Sequence, residues 1–258
     1  ELLTKEPGFK GYIHDVGGPT ANFNRAVVPG LRQARLVQGQ IMPLSRAVPQ
    51  APRGPYRYIE LLRKIRALPK IKKVFIRSGI RYDYILADKK DDFLEELCRW
   101  HVSGQLKIAP EHIANVLKYM RKPGREATEE FIRRYSKVNE KLGLKQFLVP
   151  YFISAHPGST LKEAVELAEF IRDSGLRPEQ VQDFTPTPGS LSTCIYYTGL
   201  DPFTLEEVYV PKGAEERKMQ RALLQYWMPE NHEYVIKALM RAGRRDLIGG
   251  GPKCLVRR

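Results

Sequence analysis

Short apolar runs alternate with longer amphipathic segments along most of the chain. β-branched and aromatic residues dominate the short runs, whereas the longer segments place apolar residues at helical spacing. The alternation is typical of βα units arranged around a parallel sheet. It predicts about five strand-helix repeats and therefore an α/β fold.

The repeats can be placed on the sequence from their periodicity and their punctuation by Gly and Pro. The predicted strands cover residues 11–16, 71–79, 105–112, 146–154 and 179–189. The predicted helices cover residues 56–68, 92–101, 113–120, 126–142 and a segment that ends near Gly175. That last helix is expected to begin at Ser159 or Thr160, with Glu163 placed to complete a capping box.

The pattern changes beyond residue 190, where the βα alternation stops. A loop with a short hairpin or strand is followed by two predicted helices, at 214–227 and 230–242, and by the basic end GGGPKCLVRR. We therefore expect a main domain over residues 1–189 and a small, mainly helical C-terminal extension over residues 190–258.

Composition narrows the classes of protein that remain. No apolar run reaches the roughly 18 residues that span a bilayer, and the first residues resemble no signal peptide, so we expect a cytoplasmic protein. The net charge is +14, but much of the excess is local, because residues 16–59 contain no Asp or Glu. A phosphate-rich partner is therefore only weakly indicated.

The three cysteines, Cys98, Cys194 and Cys254, lie far apart in the sequence and form no CxxC pattern. A disulfide scaffold or a metal site built from cysteine alone is not indicated. Each cysteine is expected to act as a small apolar residue.

Polar turns follow the predicted strands, and the carboxyl ends of parallel strands share one edge of a sheet. From residue type alone, Glu111 with His112 favours acid-base work or ribose binding, and His156 a structural hydrogen bond. Arg81 with Asp83 favours either a carboxylate site or a simple ion pair.

Several of these turns also carry a family resemblance. The segments DVGGPTAN, KKVFIRSGIRYD, HVSGQLKIAPEH, PYFISAHPGSTL, RPEQVQDFTPTPGSLSTCIYYTG and GGGPKCLV resemble, in order, the motifs of the YgiQ-like radical S-adenosylmethionine (SAM) proteins. The resemblance covers residues 8–24 and about 57 to the end. It implies a partial, TIM-like (β/α)6 radical SAM barrel that here lacks its first strand.

In that family a CxxxCxxC loop after the first strand holds a 4Fe-4S cluster, and reductive cleavage of SAM yields a 5′-deoxyadenosyl radical. This chain has no such loop. We therefore expect it to be inactive alone, to bind neither cofactor stably, and to depend on a longer protein with an electron donor and an unknown substrate.

The resemblance also implies roles for the strand-end residues, while the catalytic residues stay unknown. Gly17, Gly18 and Pro19 would bind the methionine part of SAM. Ser78, Arg81 and Glu111 would face the carboxylate and ribose. His156, Pro157, Phe184 and Thr185 would lie near the adenine or the substrate.

Residues 25–55 depart from the resemblance, and either an irregular loop or a pair of compensating frameshifts would explain them. Two other functions stay open. The basic stretch 25–57 could bind RNA, although it lacks a stacking motif. A cluster-free TIM-like hydrolase or lyase could instead use Glu111, His112 and His156.

Overall fold

A computed structural model describes residues 2–16 and 56–257, which form a mixed α/β structure. Its strands are β1 (Tyr12–Ile13), β2 (Lys73–Val74), β3 (Gln105–Glu111), β4 (Phe147–Ser154) and β5 (Val181–Asp183). Its helices are α1 (Tyr56–Arg66), α2 (Tyr82–Ile85), α3 (Asp92–Trp100), α4 (Leu117–Met120), α5 (Arg125–Leu142), α6 (Leu161–Asp173), α7 (Leu191–Thr198), α8 (Ala214–Leu224) and α9 (His232–Arg241).

The chain divides into two compact units. Unit 1 comprises residues 1–109 and 126–148, and unit 2 comprises residues 110–125 and 149–258. The three-stranded sheet has the order β3-β4-β5. The expected division at residue 190 stays a prediction.

In unit 1, β1 and β2 pair in parallel, with Tyr12 opposite Lys73 and Ile13 opposite Val74. The core packs apolar side chains of α1, α3 and α5 around these strands, and Leu62, Leu94 and Phe131 are fully buried. Complete burial of one such side chain is worth about 1.5–3 kcal/mol.

In unit 2, β4 and β5 pair in parallel, with Phe152 opposite Val181 and Ser154 opposite Asp183. A second apolar cluster joins α6, α8 and α9, and it includes the fully buried Leu223 and Leu239. The two helices predicted near the C-terminus are confirmed as α8 and α9, and both contribute buried side chains to this core.

The periodic helices were the most accurate part of the sequence prediction. The helices predicted over 56–68, 92–101 and 126–142 match α1, α3 and α5 within a few residues. Thr160 is the N-cap of α6, and its capping box with Glu163 is complete, as predicted. Two helices were missed: the short α2 and, more importantly, α7.

The strands predicted over 11–16, 71–79 and 179–189 are too long. Pairing of the second ends at Val74; beyond it the Ile76 N–H donates to the His101 carbonyl, and the Arg77 and Ser78 N–H groups donate to the Asp15 carboxylate. The third ends at Asp183, and Pro186 and Pro188 beyond it have no N–H for a ladder. Parallel pairing agrees with the predicted α/β class, while the barrel stays a prediction.

No helix in the described ranges is long and apolar enough to cross a membrane. The anomalous segment 25–55 lies outside the described residues, so both explanations for it remain open.

Candidate active site

The residues predicted to form one site fall into three groups. Gly17, Gly18 and Pro19 lie outside the described residues. Ser78 and Arg81 belong to unit 1. The remaining predicted residues belong to unit 2, and they are Glu111, His156, Pro157, Phe184 and Thr185.

Ser78 follows β2 in a turn that Asp15 organises. The Asp15 carboxylate accepts hydrogen bonds from the backbone N–H groups of Arg77 (2.8 Å) and Ser78 (3.2 Å). Burial disfavours the charged carboxylate, but these hydrogen bonds outweigh burial and hold the pKa of Asp15 below its usual range. Asp15 was not singled out from the sequence, although it lies near the end of the first predicted strand, residues 11–16.

Arg81, expected to face the SAM carboxylate and ribose, forms an ion pair with Asp83. Its Nε lies 2.8 Å from Asp83 Oδ1 and its Nη2 lies 2.5 Å from Oδ2, so the pair is bidentate. The guanidinium also lies over the Tyr84 ring, 5.0 Å from its centroid. This is the simple ion pair that the sequence allowed, and a SAM role for Arg81 stays a prediction.

Glu111 ends β3 in a left-handed backbone conformation, with φ of 64°. Its carboxylate pairs with Lys122 Nζ at 2.8 Å. Burial and the neighbouring Glu111 carboxylate raise the pKa of Tyr151. A non-glycine residue in this conformation is uncommon, and such strain is concentrated at functional sites.

His156 follows β4 and is held on three sides. Its Nδ1 lies 2.7 Å from the Pro157 carbonyl oxygen, its Nε2 lies 2.8 Å from Ser192 Oγ, and the Phe184 ring meets it edge-on at 4.9 Å. Burial lowers the pKa of His156 to about 4. The predicted neighbours His156 and Phe184 are therefore in direct contact, and the ring is neutral at neutral pH.

His112, directly after β3, is also buried and neutral. Its Nδ1 accepts hydrogen bonds from the backbone N–H groups of Ile113 (3.0 Å) and Ala114 (3.1 Å), so the proton of the neutral ring is on Nε2. Burial, with a smaller contribution from His156, lowers the pKa of His112 to about 3. His156, whose Nδ1 faces a carbonyl oxygen, has its proton on Nδ1, so the two rings are opposite tautomers.

The turn that carries His156 is fixed by Gln220 of α8, which sequence reasoning missed. Gln220 Oε1 accepts from the Ala155 N–H (3.1 Å) and the Ser159 hydroxyl (2.9 Å), and its Nε2 donates to the Ser159 carbonyl (2.8 Å). Ala155 has φ of 54°, another left-handed residue at a strand end. Gly158 lies so close to Tyr119 that a Cβ atom would be 2.4 Å from that ring.

Thr185 lies exposed in the turn after β5, where its hydroxyl donates to the Asp183 carbonyl at 3.3 Å. Phe184, in contrast, is buried. This contact does not test the predicted place of Thr185 near the adenine or the substrate, which stays a prediction.

The described cysteines do not fit a 4Fe-4S cluster, which is held by cysteine thiolates. Cys98 is buried, and burial raises the pKa of its thiol to about 12. Cys194 is exposed on α7, and Cys254 lies in the C-terminal loop. Among residues 2–16 and 56–257, no three His, Cys, Asp or Glu side chains are grouped so as to hold a metal ion.

The arrangement in unit 2 can orient a ligand and exclude water, but it is poorly suited to acid-base chemistry. With pKa values of about 3 and 4, neither histidine is an imidazolium that could act as a general acid at neutral pH, and both are weak bases. The strand ends instead provide two packed rings, His156 and Phe184, together with hydrogen-bonding atoms whose orientation is fixed.

Comparison with known proteins adds a family-level context to this geometry. Residues 179–258, from just before β5 to the end, match a domain of unknown function, DUF3362. Over its whole length the chain is similar to UPF0313 proteins. It is 55% identical over 262 residues to one from Clostridium perfringens (strain 13 / Type A), covering 100% of this chain and 39% of that relative.

A UPF0313 protein of Clostridium botulinum (strain 657 / Type Ba4) is 52% identical over 256 residues, covering 99% of this chain and 40% of that relative. The chain therefore spans about two fifths of the length of these relatives.

Proposed function

We propose that the chain is part of a UPF0313 protein and that the complete protein is a radical SAM enzyme. The chain would supply strand-end walls of the barrel, and residues outside it would hold the 4Fe-4S cluster. When bound, the cluster and SAM would supply radical chemistry for hydrogen-atom abstraction. The substrate of this reaction is not identified by any feature of the sequence.

The observation that carries the proposal is the placement of polar turns after parallel strands. Ser154 and Asp183 are paired at the ends of β4 and β5, and His156 and Phe184 then meet directly beyond them. The ends of parallel strands are where α/β folds bind ligands. The ordered motifs that resemble radical SAM proteins supply the chemical identity, and the UPF0313 similarity supports a longer protein.

Within this chain the work is binding, orientation and exclusion of water. The edge-on Phe184 ring and the buried His156 pack as an uncharged, water-excluding pair, which suits a site where a reactive radical must be kept from solvent. The Glu111–Lys122 pair places opposite charges after β3 and would orient a polar ligand there. These roles follow from contacts in unit 2 alone.

The test begins with the complete open reading frame that encodes this chain, expressed without oxygen. We expect iron-sulfur absorbance and formation of 5′-deoxyadenosine from SAM when a reductant is added. His156→Asn is expected to lower the rate of 5′-deoxyadenosine formation at least tenfold, because it removes the oriented ring beside Phe184. Cys194→Ala, exposed on α7, is the matched control and is expected to react at the wild-type rate.

A complete protein that binds no cluster, or that binds one and forms no 5′-deoxyadenosine, would refute the proposal. Oxygen-insensitive hydrolysis without iron would favour the hydrolase instead, although two neutral histidines of low pKa give it little support. RNA binding by 25–57 rests almost entirely on residues outside the described ranges. Salt-sensitive RNA binding that is lost on deletion of 25–55 would favour it.

A further inference from the structure

Ser192 is the one side chain from α7 that hydrogen-bonds to His156 among the described contacts. The Ser192 hydroxyl lies 2.8 Å from His156 Nε2, and on the other side of the ring Nδ1 lies 2.7 Å from the Pro157 carbonyl. Ser192 is half-buried, whereas His156 is buried. Ser192 is therefore the more exposed member of this hydrogen-bonded pair.

The start of α7 is built so that Ser192 holds this position. Ser190 is the N-cap and its hydroxyl accepts from the Thr193 N–H. The Thr193 hydroxyl in turn accepts from the Thr187 N–H at 2.8 Å and donates to the Thr187 carbonyl at 2.7 Å. These contacts tie the turn after β5 to the first turn of α7 and use the hydroxyls on either side of Ser192.

The direction of each hydrogen bond follows from the chemistry of the partners. The Pro157 carbonyl oxygen can only accept, so Nδ1 of His156 carries the ring proton. Nε2 of the neutral ring is then an acceptor, and the Ser192 hydroxyl must donate to it. The single hydroxyl proton of Ser192 is thereby used.

We propose that Ser192 is a positioning residue that keeps His156 as the neutral Nδ1–H tautomer, so that the Ser192 oxygen faces a ligand as a hydrogen-bond acceptor. The ligand group that it suits is a donor, such as a hydroxyl or an amine, and not a carboxylate or phosphate. The identity of that ligand rests on the proposed function. The state of His156 does not, because it is fixed by contacts within the chain.

The other groups around His156 are compatible with this assignment. Phe184 packs on the ring without polar contact, and Tyr196 packs on Phe184 at 5.7 Å. His112 is the titratable neighbour, and it is neutral with its own proton on Nε2. Lys212 Nζ lies 5.7 Å from the Tyr196 ring, and Arg217 Nη2 donates to the Phe184 carbonyl at 3.2 Å.

The test is nitrogen NMR of the 258-residue chain with labelled histidine, which has five histidines to resolve. His156→Asn identifies the His156 signals by their loss. We expect the wild-type spectrum to show His156 protonated on Nδ1 and neutral at pH 6. In Ser192→Ala the neutral form loses a hydrogen bond, so about tenfold more protonated imidazole is expected at the same acidic pH.

Ser192→Thr keeps the hydroxyl and is expected to restore the wild-type titration, and Cys194→Ala on the same helix is expected to leave it unchanged. A wild-type ring protonated on Nε2, or identical His156 titration in wild type and Ser192→Ala, would overturn the assignment. If Ser192→Ala does not fold, the wild-type tautomer and the Ser192→Thr titration still decide.

The role toward a ligand is tested separately in the complete protein. Under saturating SAM we expect Ser192→Ala to lower 5′-deoxyadenosine formation about tenfold and Ser192→Thr to restore it. A weakened Kd for SAM in Ser192→Ala would assign the donor to SAM, and an unchanged Kd with a lowered rate would assign it to the substrate. Equal rates and equal Kd values in wild type and Ser192→Ala would overturn the ligand role. If the complete protein cleaves no SAM but His156 has the expected tautomer, only the proposed function is refuted.

Discussion

The two units fix their polar turns by different means. In unit 1 the buried Arg134 of α5 holds the turn between α2 and α3 through the Asp91 carboxylate and the carbonyls of Leu86 and Asp88. In unit 2 the uncharged Gln220 of α8 holds the turn after β4. The first anchor holds its turn with charge-assisted hydrogen bonds. The hydrogen bonds from Gln220 to the turn after β4 are neutral, and Gln220 Nε2 also donates to the Glu216 carboxylate at 3.2 Å.

The difference has consequences for energy and for pH. Removal of a buried charged partner leaves an uncompensated charge, whereas removal of a neutral partner leaves only unpaired polar groups. Unit 1 also has an ion pair after β2, between Arg81 and Asp83, so charged side chains are used at more than one turn of this unit.

The largest expected effect is loss of the charged anchor. Arg134→Ala leaves the Asp91 carboxylate and the carbonyls of Leu86 and Asp88 without their partner, so the free energy of unfolding is expected to fall by about 3–5 kcal/mol. Chemical denaturation followed by circular dichroism measures this change.

The neighbouring Arg133 provides the matched control. It is exposed and pairs only with Glu130, three residues earlier on the same helix. Arg133→Ala is expected to cost less than about 0.5 kcal/mol. Equal losses in the two variants would mean that the turn of unit 1 is not held by a buried charge.

A smaller effect is expected from acid through His156 of unit 2 alone. Unfolding lets His156 return to a pKa of about 6.5, so between about pH 6.5 and 4 the unfolded chain binds a proton that the folded chain does not. Stability is therefore lost as pH falls through this window. The loss from His156 alone is about 3 kcal/mol, and His112 adds to it in the same direction.

His101 of unit 1 is also buried with a lowered pKa, so the slope of the wild-type protein mixes both units. The difference between wild type and His156→Asn, measured by denaturation at pH 7 and pH 4.5, isolates the contribution of unit 2. The Asp15 carboxylate, whose pKa is lowered, loses its stabilising effect only at more acidic pH. An equal fall in stability for wild type and His156→Asn would show that His156 is not held neutral.

The comparison also explains what could be predicted from the sequence. Helices such as α5, and the Thr160 capping box, depend on residues within a few positions of one another, so periodicity and spacing were sufficient. The Arg81–Asp83 pair was likewise visible because its members are two residues apart. The two-residue strand β2 was overestimated, because a side chain from elsewhere in the sequence, Asp15, replaces the ladder.

Contacts across long sequence separations were out of reach. Gln220 reaches Ser159 across 61 residues, and Ser192 reaches His156 across 36 residues. The helix that carries Ser192 was missed because its β-branched and aromatic residues obscured the helical period. Ser190 as N-cap and Gly199 as a left-handed C-cap, with φ of 71°, were the signals that could have revealed it.

The smallest of the three effects is expected from loss of the neutral anchor. Gln220→Met keeps the length of the side chain but leaves the Ala155 N–H and the Ser159 hydroxyl and carbonyl unpaired, so the free energy of unfolding is expected to fall by about 2 kcal/mol. Lys218→Met, exposed on the same helix, is expected to change stability by less than about 0.5 kcal/mol.

The distinguishing result is local. Since Gln220 holds the turn that carries His156, Gln220→Met is expected to accelerate amide hydrogen exchange at Ala155 and Gly158 more than within β4. Exchange that increases equally throughout unit 2 would mean that Gln220 contributes only to global stability. The contrast with Arg134 would then concern the size of the loss alone, and not the way in which a neutral anchor positions a strand-end histidine.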